Sequence, residues 1–188
     1  FALAISFGLG AQTPYFQQDV HYKIDVKLND VNHSISAFET FTYTNNSTST
    51  LNEMWIHIWP NAYKNNETAF AIQQLKTGST AFQFAGEDKR GFIDSLSFSV
   101  DGVSVPFEYH PVHQDICKIN LPKPLAPGQT ITVATPFKVK IPSSEFSRLG
   151  HNDQQYQLCQ WYPKPAVFDK NGWNPMPSKT SSKRLCGK

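Results

Sequence analysis

The chain has 188 residues, of which 39% are hydrophobic, 13% aromatic and 17% charged, and its formal net charge is +2. This length suits one domain with a substantial core, and the apolar content excludes an intrinsically disordered chain. Basic residues are scattered, apart from a group at the C-terminal end, and form no stripe on the rest of the chain. The composition therefore speaks against a nucleic-acid partner.

Residues 1–11 are interpreted as the remnant of a secretory signal peptide. Phe1 to Gly10 are apolar and uncharged, and Ala11 follows them, which is typical of the apolar core and cleavage end of such a peptide without its basic start. The segment is too short to cross a membrane as a helix, and a buried N-terminal strand is the alternative. We therefore expect a secreted or periplasmic protein with no stable membrane span.

Two alternating segments open the predicted fold. Apolar and polar residues alternate over residues 20–28 and again over residues 35–43, which predicts two half-buried strands. Asn29 and Asp30 supply turn chemistry between them. Residues 54–59 (MWIHIW) then form an apolar run that ends at Pro60. Such a run predicts a central strand over residues 50–60, buried on both faces, with Trp55 and Trp59 in the core.

Residues 65–78 are the one helix candidate. Asn65 or Asn66 can cap its start, Glu67 then lies in the first turn, and Gly78 can end it. Its larger apolar residues are Phe70, Ile72 and Leu75.

The second half of the chain reads as further strands. Residues 96–100 alternate, Asp101-Gly102 is a strong hairpin signal, and residues 103–109 follow it. Three more strands are predicted at residues 116–121, 131–134 and 137–141. Seven or eight strands with hairpin links and almost no helix predict an all-β domain over residues 19–177, a two-layer antiparallel β-sandwich with one short helix.

The chain lacks a recognisable catalytic set. No His is followed by Glu, so the zinc-peptidase motif HExxH is absent. His110 and His113 enclose Pro111, so a solvated loop is a better interpretation than a metal-bridging helix. Cys117, Cys159 and Cys186 form neither a metal motif nor a disulfide framework, and one bridge of undefined pairing is possible. We expect no cofactor in this chain, no stoichiometric zinc and no peptidase activity.

Residues 156–177 (YQLCQWYPKPAVFDKNGWNPMP) are dense in aromatic residues and prolines and have no helix or strand period. Chains build stiff surfaces of this kind where something docks. Residues 178–188 have no apolar pattern and are predicted to be a disordered tail of anomalous character, from a frameshift or an artificial end.

Three separated motifs carry a family resemblance: WIHIWPNAYKNNETAFA, PLAPGQTITVATPFKVKIP and SRLGHNDQQYQLCQWYPKPAVFDKNGWNPMP. Together they resemble the N-terminal domain of the aminopeptidase N and leukotriene hydrolase family of zinc metallopeptidases, and most closely its secreted bacterial members of the Bacteroidetes type. The resemblance covers about residues 20–177. It implies a saddle-shaped β-sandwich that precedes a thermolysin-like catalytic domain, which carries the zinc and would be this chain's partner.

The resemblance also implies one site residue. In the family, a Gln or Glu after a short strand segment holds the free amino group of the peptide substrate. The segment 157–160 (QLCQ) matches and places Gln160 at this anchor position. An amide oxygen can accept a hydrogen bond from an α-ammonium group, and the alternative is that Gln160 only caps a strand. Trp161 and Tyr162 are weaker candidates, either as pocket walls or, together with Trp173, as a packing seam against the catalytic domain.

Two functions remain open at this stage. One is the non-catalytic, substrate-anchoring domain of a zinc aminopeptidase. The other is a standalone secreted β-sandwich module that binds a glycan or a peptide on its aromatic surface.

Overall fold

A computed structural model of the chain describes residues 16–152 and 155–179. The predicted signal-peptide remnant lies outside the described residues, and of the predicted tail only Ser178 and Lys179 are described. The strands are, in chain order, β1 (Asp19–Asn29), β2 (Ser34–Thr44), β3 (Leu51–His57), β4 (Phe92–Asp94), β5 (Ser99–Val100), β6 (Val103–Ser104), β7 (Phe107–Tyr109), β8 (Ile116–Leu125), β9 (Thr130–Lys140), β10 (Leu149–His151), β11 (Tyr156–Leu158), β12 (Lys164–Pro165), β13 (Val167–Asp169) and β14 (Gly172–Asn174). One α-helix, α1 (Ala69–Lys76), and two 3₁₀ helices (Trp59–Tyr63 and Glu87–Lys89) complete the described part.

Two antiparallel sheets form the layers of a sandwich. The first has the order β1-β2-β9-β5-β6, with β4 also paired to β9, and the second has the order β12-β3-β8-β7. Inward-facing residues of both sheets share one core, to which Phe41 and Val133 contribute from the first sheet and Ile56 and Ile119 from the second. The predicted fold class, an all-β antiparallel sandwich with one short helix, is confirmed. β10 pairs with β11 and β13 with β14 outside these two sheets.

The first hairpin is confirmed at its predicted position. β1 and β2 pair over eleven residues each, from Asp19 opposite Thr44 to Asn29 opposite Ser34. Asn29 closes the turn, because its Oδ1 accepts hydrogen bonds from the backbone N–H groups of Val31 at 3.1 Å and Asn32 at 3.0 Å. β1 lies at the end of the sheet order, so its other side has no strand partner among the described residues.

The Asp101-Gly102 turn is confirmed, but the bounds predicted for three later strands are wrong. Both turn residues have positive φ (48° and 81°), as a tight hairpin requires. The predicted strand at residues 103–109 is divided into β6, in the first sheet, and β7, in the second. The two predicted strands on either side of residues 135–136 are one strand, β9. Pro136 is tolerated within it because neither β4 nor β5 pairs with Thr135 or Pro136.

The helix is shorter than predicted and has a different cap. Thr68 caps α1, and its Oγ1 accepts from the N–H of Ala71 at 3.2 Å. Asn65 does not cap the helix. Its Oδ1 accepts from the N–H of Glu67 at 3.0 Å and closes a turn just before the helix. Gly78 follows the helix at φ 82°, as expected. Phe70 is buried, whereas Ile72 and Leu75 are exposed, so the helix buries a narrow face against a second cluster. That cluster contains Ala62, Tyr63, Phe70, Ala71, Phe82 and Leu149.

β3 is a central strand, but the prediction that it is buried on both faces is wrong. Met54 and Ile56 are fully buried on its inner side. Trp55 lies on the other side and is half-buried, with its Nε1 donating to Glu53 Oε1 at 2.9 Å. The strand ends at His57, and Trp59, also half-buried, begins a 3₁₀ helix. No helix in the described ranges is long and apolar enough to cross a membrane.

Candidate functional site

A cleft of about 450 Å³ lies beside α1 and the 3₁₀ helix Trp59–Tyr63. Its walls combine aromatic side chains with the loop that leads into β10 and with the bend that follows β11. The lining residues include Trp59, Tyr63, Glu145, Cys159, Gln160 and Ser178. A concave surface with apolar walls and few polar groups is the usual form of a small ligand site.

Gln160 lies at this cleft in the bend that follows β11. It is exposed, and its φ of 58° is in the left-handed region that few non-glycine residues adopt. Its side-chain Oε1 accepts a hydrogen bond from Nζ of Lys164. The amide oxygen of Gln160 therefore already receives a primary ammonium group.

Lys164 is held there by the second sheet. It begins β12, where it lies opposite His57 of β3. Its Nζ is 3.9 Å from the ring centroid of Trp59, close enough for a cation–π contact. The Trp59 ring in turn stacks on His57 at 4.8 Å between centroids. The ammonium of Lys164 is thus enclosed by a carbonyl oxygen and an indole face.

Burial controls the charges of this cluster. Burial lowers the pKa of Lys164. The pKa of His57 is lowered to about 4, first by burial and then by the nearby positive charge of Lys164. His57 is therefore neutral at pH 7, and Lys164 carries the positive charge of the group.

The C-terminal described segment is attached to the same region. The backbone N–H of Ser178 donates to Oδ2 of the buried Asp115 at 2.6 Å. Nε1 of Trp59 donates to the backbone oxygen of Met176 at 3.1 Å. Burial raises the pKa of Tyr63, which lines the cleft. At the rim, Glu145 is paired with Lys89 at 2.9 Å.

The arrangement can bind a cation, and it offers no ligand set for a metal. An amide oxygen and an aromatic face are both acceptors for an ammonium group. Within residues 16–152 and 155–179, no three His, Cys, Asp or Glu side chains lie together as a metal ion would need. The described residues therefore offer no zinc site, and the family resemblance places the zinc in the catalytic domain instead.

The three predicted site residues are placed differently. Gln160 lines the cleft, whereas Trp161 and Tyr162 are not among its lining residues. Trp161 packs on Phe137 at 5.9 Å between ring centroids, and Tyr162 packs edge-on against Tyr22 at 5.3 Å. The rings of residues 156–177 are thus half-buried packing residues, and the segment forms three short strand pairings rather than one extended surface. A substrate role for Trp161 and Tyr162 stays a prediction.

Sequence reasoning missed Lys164, Trp59 and His57 as neighbours of Gln160. Trp59 had been assigned to the core, and Lys164 stands between two prolines in a segment without strand period. The one signal in the sequence was the density of aromatic residues and prolines around Gln160, which is typical of docking surfaces.

The other candidate groups lie elsewhere. His110 and His113 lie in the loop between β7 and β8, as predicted, with their rings stacked at 4.9 Å. Nδ1 of His110 accepts from the backbone N–H of His113 at 3.1 Å. Cys117 is buried and Cys159 is exposed, and both are free thiols. Cys186 lies outside the described residues.

The fold and the cleft define an all-β sandwich with a cation-accepting bend. No known protein family and no curated protein matches the sequence. Among solved structures, a mutant of the M1 zinc metallopeptidase from Deinococcus radiodurans matches with a TM-score of 0.43 and 15% identity over 68% of this chain. A two-domain M1 zinc metallopeptidase mutant bound to L-arginine matches with a TM-score of 0.41 and 14% identity over 68% of this chain. This chain spans 22% of the length of each. At this degree of similarity, neither match carries an inference about function.

Proposed function

We propose that this β-sandwich is the non-catalytic, substrate-anchoring N-terminal domain of a zinc aminopeptidase. The observation that carries the proposal is the hydrogen bond from the Lys164 ammonium to Gln160 Oε1. It supports the proposal because Gln160, which the QLCQ motif assigns to the amine anchor, accepts a hydrogen bond from a primary ammonium group. The order of the three sequence motifs and the all-β sandwich are further support.

In this function, the α-ammonium of a peptide replaces Lys164 at Gln160. The two groups have the same charge and the same three N–H donors, so the exchange conserves the hydrogen bond. Lys164 is half-buried with a lowered pKa, and it gains hydration when it leaves. A peptide fixed by its amino end presents its first peptide bond at a constant distance from the anchor, which is what restricts hydrolysis to the N-terminal residue.

Catalysis belongs to a second domain in this proposal. That domain would be this chain's partner and would carry the zinc, and the protein would be secreted or periplasmic. The isolated chain is then inactive and binds no stoichiometric zinc. One zinc per chain by metal analysis, lost when His110 and His113 are replaced, would contradict this assignment.

Peptide binding to the isolated chain tests the anchor. Titration of a short peptide, once with a free and once with an acetylated amino terminus, should show tighter binding of the free amine. Gln160→Ala should abolish that difference, and Gln157→Ala, which changes an exposed glutamine that does not line the cleft, should preserve it. Equal binding of the two peptides to the unmodified chain would contradict the proposal.

Lys164→Met is a second test, in which peptide binding should become tighter rather than weaker. Methionine is similar in length but has no ammonium, so Gln160 Oε1 is left free for the peptide. We expect tighter binding of the free-amine peptide and no change for the acetylated one. In a protein that joins this chain to its catalytic domain, Gln160→Ala should lower kcat/KM about ten- to a hundredfold at unchanged zinc content, the loss of one hydrogen bond to a charged group.

The alternative, a module that binds a glycan or peptide on exposed aromatic rings, has less support in the geometry. Stacking on a ligand requires free ring faces. Trp161 and Trp173 are half-buried against the core, and the indole of Trp59 is covered by Lys164.

A further inference from the structure

Among the described residues, no strand pairs with the outer edge of β1, which is open along its whole length. β1 ends the order of the first sheet, and nine of its eleven residues are exposed. An edge strand of this length leaves a row of backbone N–H and C=O groups without ladder partners, which is a template for another strand. Proteins without such a partner usually shorten, bulge or cover the edge, or place charged residues such as Lys on it. The β1–β2 register has no bulge. The charged residues of β1 include both Lys23 and Asp25, so they can pair with a second copy as well as repel one.

The inward row of β1 is only partly covered. Tyr22, Val26 and Leu28 point to the same side as the core residues of β2, yet 39%, 55% and 45% of their surfaces remain exposed. The ring of Tyr162 packs edge-on against Tyr22, and the side chains of Val26 and Leu28 remain about half exposed. The open edge therefore borders an apolar strip.

We propose that β1 is the interface of a symmetric dimer, in which β1 of a second copy pairs with it antiparallel about a two-fold axis through Ile24. Ile24 is the middle residue of Asp19–Asn29, so this register aligns all eleven residues of both strands. The two first sheets then form one continuous sheet across the axis. The interface is isologous and closes at two copies, because it uses up both open edges.

Charge complementarity selects this partner and this register. The axis at Ile24 places Lys23 directly opposite Asp25 of the second copy, and Asp25 opposite its Lys23, on the outer face. Opposite charges at directly paired positions stabilise a strand pair, and like charges destabilise it. Moving the axis to residue 25 sets Asp25 against itself and Lys23 against Lys27. Moving it to residue 23 sets Lys23 against itself.

The apolar strip is completed by the same axis. Tyr22 lies opposite Val26 of the second copy, Val20 opposite its Leu28, and the two Ile24 side chains meet at the centre. A pairing slip of one residue would set these side chains opposite the outward row, so the apolar row excludes it. The axes at residues 23 and 25 also keep the apolar residues opposite one another, and only the charge pattern selects Ile24 over them.

The test is the oligomeric state of the full chain and of charge-reversal variants. Sedimentation equilibrium of the unchanged chain should show twice the chain mass of 21.2 kDa at high protein concentration, decreasing on dilution. Lys23→Asp alone or Asp25→Lys alone should raise the dimer dissociation constant at least tenfold. Both side chains are exposed, so both variants should fold. Lys123→Asp reverses an exposed charge away from β1 and is the matched control.

Two recombinations of these variants identify the register. A mixture of the Lys23→Asp and Asp25→Lys proteins should form heterodimers, because each pair across the axis again joins opposite charges. The double variant Lys23→Asp/Asp25→Lys should recover the homodimer. A chain that stays monomeric at high concentration, a dimer insensitive to both single reversals, or a mixture that forms no heterodimer would each overturn the proposal.

Discussion

Glu39 and His57 are two ionisable side chains that folding places in low-polarity surroundings. Glu39 is fully buried in β2 between Ile24 of β1 and Thr135 of β9, and neither carboxyl oxygen has a hydrogen-bond partner among the described residues. Burial raises its pKa from 4.5 to about 8. Burial, with the charge of Lys164, lowers the pKa of His57 from 6.5 to about 4. Both groups are therefore neutral in the folded protein near pH 6.

The opposite pKa shifts of Glu39 and His57 predict how the stability of the fold changes with pH. Between about pH 4.5 and 8 the folded protein holds the Glu39 proton that the unfolded chain loses, so this group lowers stability as pH rises, by about 1.4 kcal/mol for each pH unit. Between about pH 4 and 6.5, His57 binds a proton in the unfolded chain but not in the folded protein, so this group raises stability as pH rises. The two slopes cancel up to about pH 6.5. We expect a level urea midpoint from pH 5 to 6.5 and a fall from there to pH 8.

Glu39→Gln separates the two contributions. It removes the carboxyl group but conserves its size, so only the His57 slope remains. Urea unfolding of the variant should show a midpoint that rises to about pH 6.5 and then stays level. The prediction is wrong if the unchanged chain and the variant fall in parallel above pH 6.5.

At the candidate site, the sequence predicted one residue and not its surroundings. Gln160 was found through a short motif. Its contact with Lys164 depends on a bend with positive φ at Gln160 and on the pairing of β12 with β3, and both are set by the fold rather than by local pattern. Alternating polarity cannot report such contacts, because it records only which face of a strand is buried.

At the scale of elements, long alternating strands were predictable and short ones were not. β1 and β2 appear where alternation indicated them, because eleven residues with one buried face leave little freedom of register. The two strands predicted at residues 131–134 and 137–141 are one strand, β9, in the sheet. Trp55 was assigned to the core by its apolar neighbours, although it lies on the outer side of β3 with Lys118 Nζ 5.8 Å from its ring centroid.

β3 allows a direct test of that asymmetry. Ile56→Ala should cost about 2–5 kcal/mol of unfolding free energy, because it opens a cavity at a fully buried position. Trp55→Ala should cost about 1–2 kcal/mol, since it removes a half-buried ring and a weak cation–π contact. Chemical denaturation of both variants measures which loss of unfolding free energy is larger. A larger loss of unfolding free energy for Trp55→Ala than for Ile56→Ala would contradict the position of Trp55 on the outer side of β3.

The start of α1 was predicted at Asn65 or Asn66 but lies at Thr68. Thr68 is buried, and besides capping the helix its Oγ1 donates to the backbone oxygen of Ala62 at 2.7 Å. Thr68→Ala removes these two bonds and a weaker one from Oγ1 to the backbone oxygen of Asn65 at 3.3 Å. It should cost about 2 kcal/mol by chemical denaturation. Thr77→Ala, at the exposed other end of the helix, is the control and should cost less than about 0.5 kcal/mol. Equal losses of unfolding free energy in the two variants would contradict a stabilising role for the Thr68 cap.

At the scale of the molecule, two apolar clusters have to fold together. The larger joins the two sheets, and the smaller lies under α1 and beside the cleft. Trp161 is half-buried and packs against both clusters, whereas Trp173 packs against the larger one only. Trp161 follows Gln160 directly in the chain, so the ring that connects the clusters also supports the bend that presents the amide oxygen.

Trp161→Ala should therefore weaken the coupling between the sheets and the helical cluster. We expect hydrogen exchange of α1 and of residues 82–85 to become faster than that of β2 and β9, which requires local opening of the smaller cluster before global unfolding. Trp173→Ala is the matched control: it removes a comparable ring from the larger cluster and should accelerate exchange in both regions to the same extent. If Trp161→Ala behaves like Trp173→Ala, the two clusters are coupled by other contacts. If it leaves exchange unchanged throughout, the Trp161 ring does not couple the two clusters.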